Sequence, residues 1–298
     1  MVSKEMENLL NFIKQSVDQS VEPSVEGLRE SFDQIGNMMR VPKDAKCDPI
    51  DIAGIPAEWI SVPDSINDRV LLYFHGGGYV AGSIKSHREY CVNLARASKT
   101  KVLLIDYRRA PEHRFPAAVE DATKVYDWLI TSGGIKPKNI IIAGESAGGG
   151  LTIATLLKLR DDNKELPAAG IPLSPYLDLA VTGESVKTKA DVDPISTEAM
   201  LKFCAEQYLG EGDKKNPLAS PLYADLKNLP PLYIQVGTAE LLLDDAVRFA
   251  DSAKAAGVDV KLELWDDMIH MFQMFATMIP EGRDAITKIG EFILKSIN

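Results

Sequence analysis

Gly144-Glu145-Ser146-Ala147-Gly148 is a G-x-S-x-G sequence set between the apolar run Asn139-Ile140-Ile141-Ile142-Ala143 and the segment Leu151-Thr152-Ile153-Ala154-Thr155-Leu156-Leu157. A β-branched apolar run reads as a buried strand and the segment after it as a helix, so Ser146 falls on a tight strand-to-helix turn. A serine raised on such a turn is placed to act as a nucleophile in acyl transfer. Small neighbours suit it, because a serine backbone forced into a strained φ/ψ leaves no room for bulk on either side. An ordinary β-α turn shares this pattern over five residues, so the reading needs a second motif.

That motif lies upstream. His75-Gly76-Gly77-Gly78-Tyr79 directly follows the apolar run Val70-Leu71-Leu72-Tyr73-Phe74. Three consecutive glycines expose backbone N–H groups with no side chain in the way, and such donors are what a tetrahedral oxyanion needs. A phosphate-binding loop is disfavoured, since neither G-x-G-x-x-G nor G-x-x-x-x-G-K-[ST] occurs at either glycine cluster.

A nucleophilic serine needs a base, and the chain has four histidines: His75, His87, His113 and His270. In α/β-hydrolase sheets the order along the chain is serine, acid, histidine, so only His270 qualifies. It follows the strand-like Val260-Lys261-Leu262-Glu263-Leu264-Trp265, on a loop beyond a strand's carboxyl end, where α/β sheets build their sites. The acid should also sit just past a strand. Glu240 is the first carboxylate after Leu232-Tyr233-Ile234-Gln235-Val236, and one helix and one strand fit between it and His270. Asp244 and Asp245 are the alternatives, although carboxylates at the head of a helix also serve simply as caps.

These residues, with Tyr107-Arg108-Arg109-Ala110-Pro111-Glu112-His113-Arg114-Phe115-Pro116-Ala117-Ala118 between the two motifs, resemble the bacterial hormone-sensitive-lipase-like family of carboxylesterases. The likeness runs from about Val70 to the C-terminus. It implies a triad of Ser146, Glu240 and His270, and an oxyanion hole from the N–H groups of Gly77, Gly78 and Ala147. It also implies a helical cap over the site, made of the N-terminal region and an insertion near residues 179–209. Two positions depart from the family: most members carry Asp where Glu240 stands, followed by Pro, and Asp where Glu145 stands. Glu145 is expected to meet a loop partner such as Arg109 or the neighbours of Glu112.

The chain's 298 residues, 45% hydrophobic and 26% charged, suffice for one large domain with a full core. The expected division is an N-terminal cap over residues 1–45 and a catalytic domain over 46–298. A formal charge of −10 argues against nucleic acid and anionic membrane surfaces, which need a basic stripe. No run approaches 18 apolar residues and the N-terminus does not read as a signal peptide, so a cytoplasmic location is expected. Cys47, Cys91 and Cys204 are widely spaced without C-x-x-C, which predicts free thiols and no structural zinc. No metal and no cofactor are expected.

Strands are predicted over residues 58–62, 70–74, 102–106, 140–143, 170–173, 232–236 and 260–265. Helices are predicted over 86–98, 116–131, 147–160, 244–256 and 282–297. This alternation predicts an α/β fold with a mostly parallel sheet covered on both faces. Residues 1–39 read as helical, with Met6, Leu9, Leu10, Ile13 and Val17 on one face. Leu9, Leu10, Phe12, Ile13, Met38, Met39, Phe203 and Tyr208 are expected as apolar cap walls, with Tyr79, Phe203 and Tyr208 touching substrate.

The expected activity is a serine carboxylesterase acting on small, short-chain esters through an acyl-enzyme. A homodimer through the C-terminal edge of the sheet is a further expectation. Amide or aryl-acetamide substrates are the alternative for the same machinery. A ligand receptor on this fold is a third reading, one that the presence of His270 disfavours.

Overall fold

A computed structural model of the chain describes residues 2–16 and 19–297. Its strands are β1 (Lys46–Ile52), β2 (Ile55–Ser61), β3 (Ile66–Phe74), β4 (Thr100–Ile105), β5 (Ile140–Glu145), β6 (Ala169–Leu173), β7 (Leu232–Gly237) and β8 (Val260–Trp265). They form one sheet in the order β1-β2-β4-β3-β5-β6-β7-β8, antiparallel at β1–β2 and β2–β4 and parallel elsewhere. The helices are α1 (Lys4–Ser16), α2 (Val25–Met38), α3 (Ile84–Ser98), α4 (Ala117–Thr131), α5 (Ala147–Asp161), α6 (Ser185–Thr188), α7 (Glu198–Leu209), α8 (Leu243–Ala255) and α9 (Pro280–Ser296). This is the α/β-hydrolase architecture.

The pleat sorts each central strand between two cores. Leu72 and Phe74 of β3 face α4, α5 and α8, whereas Leu71 and Tyr73 face α3 and α9. In β5, Ile140 and Ile142 join the first core and Ile141 and Ala143 the second. Both faces are covered, so these strands read as continuous apolar runs rather than alternating ones. Each fully buried isoleucine there stabilises the fold by about 1.5–3 kcal/mol.

The predicted strands from residue 58 onward correspond to β2–β8. β1 was not predicted, and its composition explains the omission: Asp48, Pro49 and Asp51 interrupt any apolar pattern, and most of its residues remain exposed or half-exposed. It is an edge strand, where proline is tolerated because one side makes no ladder.

The N-terminal helical region is two helices. α2 begins after Pro23, with Ser24 as its cap, the Oγ accepting from Gly27 N–H at 3.1 Å. Met6, Leu9 and Ile13 of α1 pack on Met268, Ile269, Phe272, Ile279 and Ala285, so α1 braces the loop that carries His270. Two expected cap walls are corrected: Phe12 (51% exposed) and Met38 (59%) point to solvent, because each lies about a quarter turn away from its helix's packed stripe. Val17 falls outside the described residues. No helix among the described residues is long and apolar enough to cross a membrane.

Candidate active site

β3 and β5 are neighbours, with Phe74 opposite Gly144, so the loops that follow them emerge side by side at the carboxyl edge of the sheet. The chain direction across the sheet reverses at β3, the position where open α/β sheets form crevices. Ser146 sits on its turn at φ 55°, ψ −120°, a conformation costly for a residue with a side chain. The surroundings hold it there. Its N–H donates to Leu173 O at 2.9 Å, and its carbonyl accepts from Tyr176 N–H at 2.9 Å and Gly150 N–H at 3.0 Å.

Gly77 and Gly78 adopt φ values of +110° and +63°, which explains why this loop is built from glycine. The carbonyl of Gly77 accepts from Val80 N–H (3.0 Å) and Ala81 N–H (2.8 Å), closing a tight turn. Among the described residues the N–H groups of Gly77 and Gly78 donate to no partner. A side chain at Gly78 would collide with Cys204 of α7, and one at Gly76 would lie 3.3 Å from Ser146 Cβ. The three-glycine loop, the serine turn and helix α7 therefore meet at one place.

The loops after β7 and β8 arrive at the same edge. His270 Nδ1 lies 3.4 Å from Glu240 Oε2, and both side chains are almost fully buried. Ser174, immediately after β6, ties the site together. Its Oγ donates to Glu240 Oε2 at 2.9 Å and accepts a long 3.4 Å contact from Met271 N–H, while its own N–H donates to Gln235 O at 2.7 Å. Since Leu173 receives the Ser146 N–H, one dipeptide at the end of β6 links the serine turn to the acid and the histidine loop. Burial pulls the His270 imidazole down, but the adjacent Glu240 carboxylate more than offsets this and holds it above its ordinary value. Burial pushes the Glu240 carboxyl up, against the opposing pull of His270 and Ser174.

Asp244 and Asp245 are engaged elsewhere. Asp245 Oδ2 accepts from Leu177 and Asp178 N–H at 2.9 Å each, with Arg248 at 3.2 Å from Oδ1, and Asp244 Oδ2 accepts from Ser185 N–H at 2.8 Å. Both fasten the start of the segment that runs from β6 to α7. Asp193, deeper in that segment, accepts from Leu241 N–H at 2.9 Å and so pins the residue next to Glu240. Sequence reasoning missed Ser174 and Asp193. A hydroxyl directly after β6 was a legible signal for the first, whereas nothing local marks the second.

Glu145 does not meet Arg109, which instead donates to Gly82 O at 2.5 Å. Glu145 accepts from Tyr73 OH and Gly76 N–H, and His87 Nε2 of α3 lies 2.7 Å from its Oε1. The reason is strand parity: Ile141, Ala143 and Glu145 share a face of β5, and that face looks towards α3. Burial opposes its charge, but His87, Tyr73 and the Gly76 amide together hold the Glu145 carboxyl below its usual value. His75 stacks on Tyr107 (4.3 Å, 15°), with Nδ1 2.8 Å from Gly76 O, and its pKa is lowered by burial. His113 is exposed.

Tyr79 and Tyr208 stack face to face at 3.9 Å with their rings 3° from parallel, and both are buried in the larger core. Phe203 is half-buried on α7. Cys91 and Cys204 are buried, Cys47 is half-buried, and all three thiols are free.

The family profile described as alpha/beta hydrolase fold matches residues 71–274, the span from β3 to the loop beyond His270. The chain belongs to the bacterial hormone-sensitive-lipase-like esterases of that fold. It is 41% identical over 273 residues to an acetyl-hydrolase of Streptomyces hygroscopicus, covering 92% of this chain and 89% of that relative. A solved esterase from the bacterial hormone-sensitive lipase family superposes with a TM-score of 0.96 at 44% identity over the full length of both chains. A second solved relative, EstE5, whose crystal was soaked with p-nitrophenyl butyrate, gives a TM-score of 0.94 at 42% identity over 99% of each chain. The protein is thus a hydrolase acting on ester bonds.

Proposed function

We propose that this esterase cleaves short-chain carboxylic esters through an acyl-enzyme on Ser146. The observation that carries the reading is the contact of His270 with buried Glu240, joined through Ser174 to the strand end that holds the serine turn. Ser146 Oγ attacks the ester carbonyl as His270 takes its proton. The carbonyl oxygen becomes an oxyanion cradled by the N–H groups of Gly77, Gly78 and Ala147. His270 returns the proton to the leaving alcohol, then deprotonates a water that cleaves the acyl-enzyme. Glu240 keeps the imidazole in the productive tautomer and stabilises the imidazolium.

α1, α2 and the segment 179–209 are proposed as the cap, with residues 46–298 as the catalytic domain. The approach of α7 to Gly78 through Cys204 supports reading Phe203, Tyr79 and Tyr208 as the wall of a small acyl pocket. Each added methylene gains about 0.8 kcal/mol only while such a pocket has room. Free thiols support a reducing, cytoplasmic setting. β8 ends the sheet as an unpaired edge with Leu264 half exposed, which supports pairing with a second copy there.

Ser146→Ala tests the mechanism. On p-nitrophenyl butyrate kcat is expected to fall at least about 10⁴-fold with the thermal transition unchanged. Retention of more than about a tenth of kcat would rule out the acyl-enzyme. Across p-nitrophenyl esters, kcat/KM is expected to peak between about two and six acyl carbons, and rates still climbing at C12 would overturn the short-chain assignment.

A further inference from the structure

The oxyanion loop is gripped from behind by a helix of the N-terminal region. Arg29 of α2 donates from Nε to Val80 O at 3.0 Å and from Nη2 to Ala110 O at 3.1 Å. Its fork also engages both carboxylate oxygens of Glu112, at 2.8 and 2.7 Å. Val80 lies within the turn that closes on Gly77 O, and Ala110 N–H donates to Tyr79 O at 2.9 Å, so Arg29 staples the glycine loop to the segment packed beside it. The same helix reaches the loop's other end. Phe32 stacks on His87 (5.8 Å, 18°), His87 contacts Glu145, and Glu145 receives the Gly76 N–H.

We propose that Arg29 is a positioning residue for the oxyanion hole, through which the docking of α2 sets the aim of the Gly77 and Gly78 N–H groups. The proposal rests on the oxyanion role assigned above to those glycines. Physically it follows from what surrounds them. Gly77 and Gly78 sit at positive φ with no side chains to pack, so the loop's shape depends on what holds its carbonyls. A planar guanidinium with several donors in fixed directions can hold two carbonyls and a carboxylate at once, which a lysine ammonium on a flexible stem does less well. An oxyanion donor contributes only when already aimed at the position of the developing charge, so loosening the loop raises the barrier without changing ground-state binding.

The experiment compares wild type, Arg29→Ala and Arg29→Lys on p-nitrophenyl butyrate, with Ser146→Ala alongside. Arg29→Ala is expected to lose about tenfold in kcat, less than loss of an oxyanion donor itself, with KM changed by less than about twofold. Affinity for a trifluoromethyl ketone, which forms a tetrahedral adduct with the serine, should fall by the same factor as kcat. Ethylguanidinium added to Arg29→Ala should restore part of the lost rate, and Arg29→Lys should fall between the two. A purely structural role would lower the thermal transition without this matched loss and without rescue. Full kcat in folded Arg29→Ala, full kcat in Arg29→Lys should the alanine variant not fold, or a loss confined to KM would each overturn the proposal. If Ser146→Ala is inactive while Arg29→Ala keeps its rate, only this inference falls. If Ser146→Ala stays active, the acyl-enzyme reading itself is what fails.

Discussion

Two buried glutamate–histidine pairs lie in this molecule, and their surroundings give them opposite characters. Glu145 contacts His87 at 2.7 Å and also receives Tyr73 OH and the Gly76 amide, so its charge is well solvated by protein donors and its carboxyl is held below the ordinary value. Glu240 contacts His270 at 3.4 Å and receives only Ser174 Oγ, leaving Oε1 without a partner, and burial pushes its carboxyl up. A carboxylate with its acceptors filled is a fixed structural anion. One left short of donors interacts more strongly with a positive charge formed beside it, which is what an imidazolium in a transition state requires. In the proposed mechanism the same two residue types serve as brace and as charge stabiliser, and the number of donors around the carboxylate sets which.

The sharpest way to break this contrast is to remove each histidine in turn. His270→Gln should lower kcat about 10⁴-fold or more with little loss of stability, because the proposed mechanism routes every proton through His270. His87→Gln should keep kcat within about tenfold of wild type and lower the thermal transition instead. A collapse of kcat in folded His87→Gln would show that the two pairs are not divided in role.

The two acids come next. Glu240→Gln should lower kcat roughly 10²- to 10⁴-fold with KM little changed, whereas Asp245→Asn should act on stability rather than rate. Glu145→Gln should cost about 3 kcal/mol of unfolding free energy in urea titration, the scale for removing one partner of a buried pair. Near-normal turnover in Glu240→Gln with a collapse in Asp245→Asn would move the catalytic acid.

The smallest and most graded contrast is in pH. His270 must be neutral to accept the serine proton and its pKa is raised, so kcat/KM should rise with pH through a midpoint above about 6.5 and then level off. The folded-state pKa of Glu145 is depressed, so its stabilising contribution is present above the unfolded value near 4.3 and is lost as pH falls through the folded value. Glu145→Gln should therefore flatten the acid limb of the stability curve while moving the midpoint of the activity profile down only slightly, because the Glu145 charge is the smallest of those that raise His270. A shift as large as the one Glu240→Gln produces would couple the two pairs directly.

Apolar runs, glycine spacing and chain order made much of this legible in advance. The apolar runs over residues 70–74 and 140–143 located β3 and β5, and the motifs after them placed Ser146 and the glycine loop at one edge. With a single histidine beyond Ser146, His270 followed by elimination. β1 escaped notice because an edge strand carrying Asp48, Pro49 and Asp51 has no buried face to enforce a pattern. Ser174 and Asp193 escaped because each acts on residues far along the chain, Glu240 and Leu241, and spacing carries no record of such contacts. Glu145 was noticed but given the wrong partner, although counting alternate residues back along β5 would have pointed it towards α3.

Sequence by itself determined the local matters: which buried segments are strands and helices, where the turn that strains Ser146 lies, and which glycines leave backbone donors bare. These follow from covalent geometry and short-range periodicity, which a chain carries whether or not it is folded. The tertiary structure alone decided that Glu240 rather than Asp244 or Asp245 faces His270, that Phe12 and Met38 look outward, and that Arg29 reaches Val80 and Ala110 across the chain. Those are questions of how many donors surround a charge and which surfaces meet, and they are settled only when packing brings distant segments together.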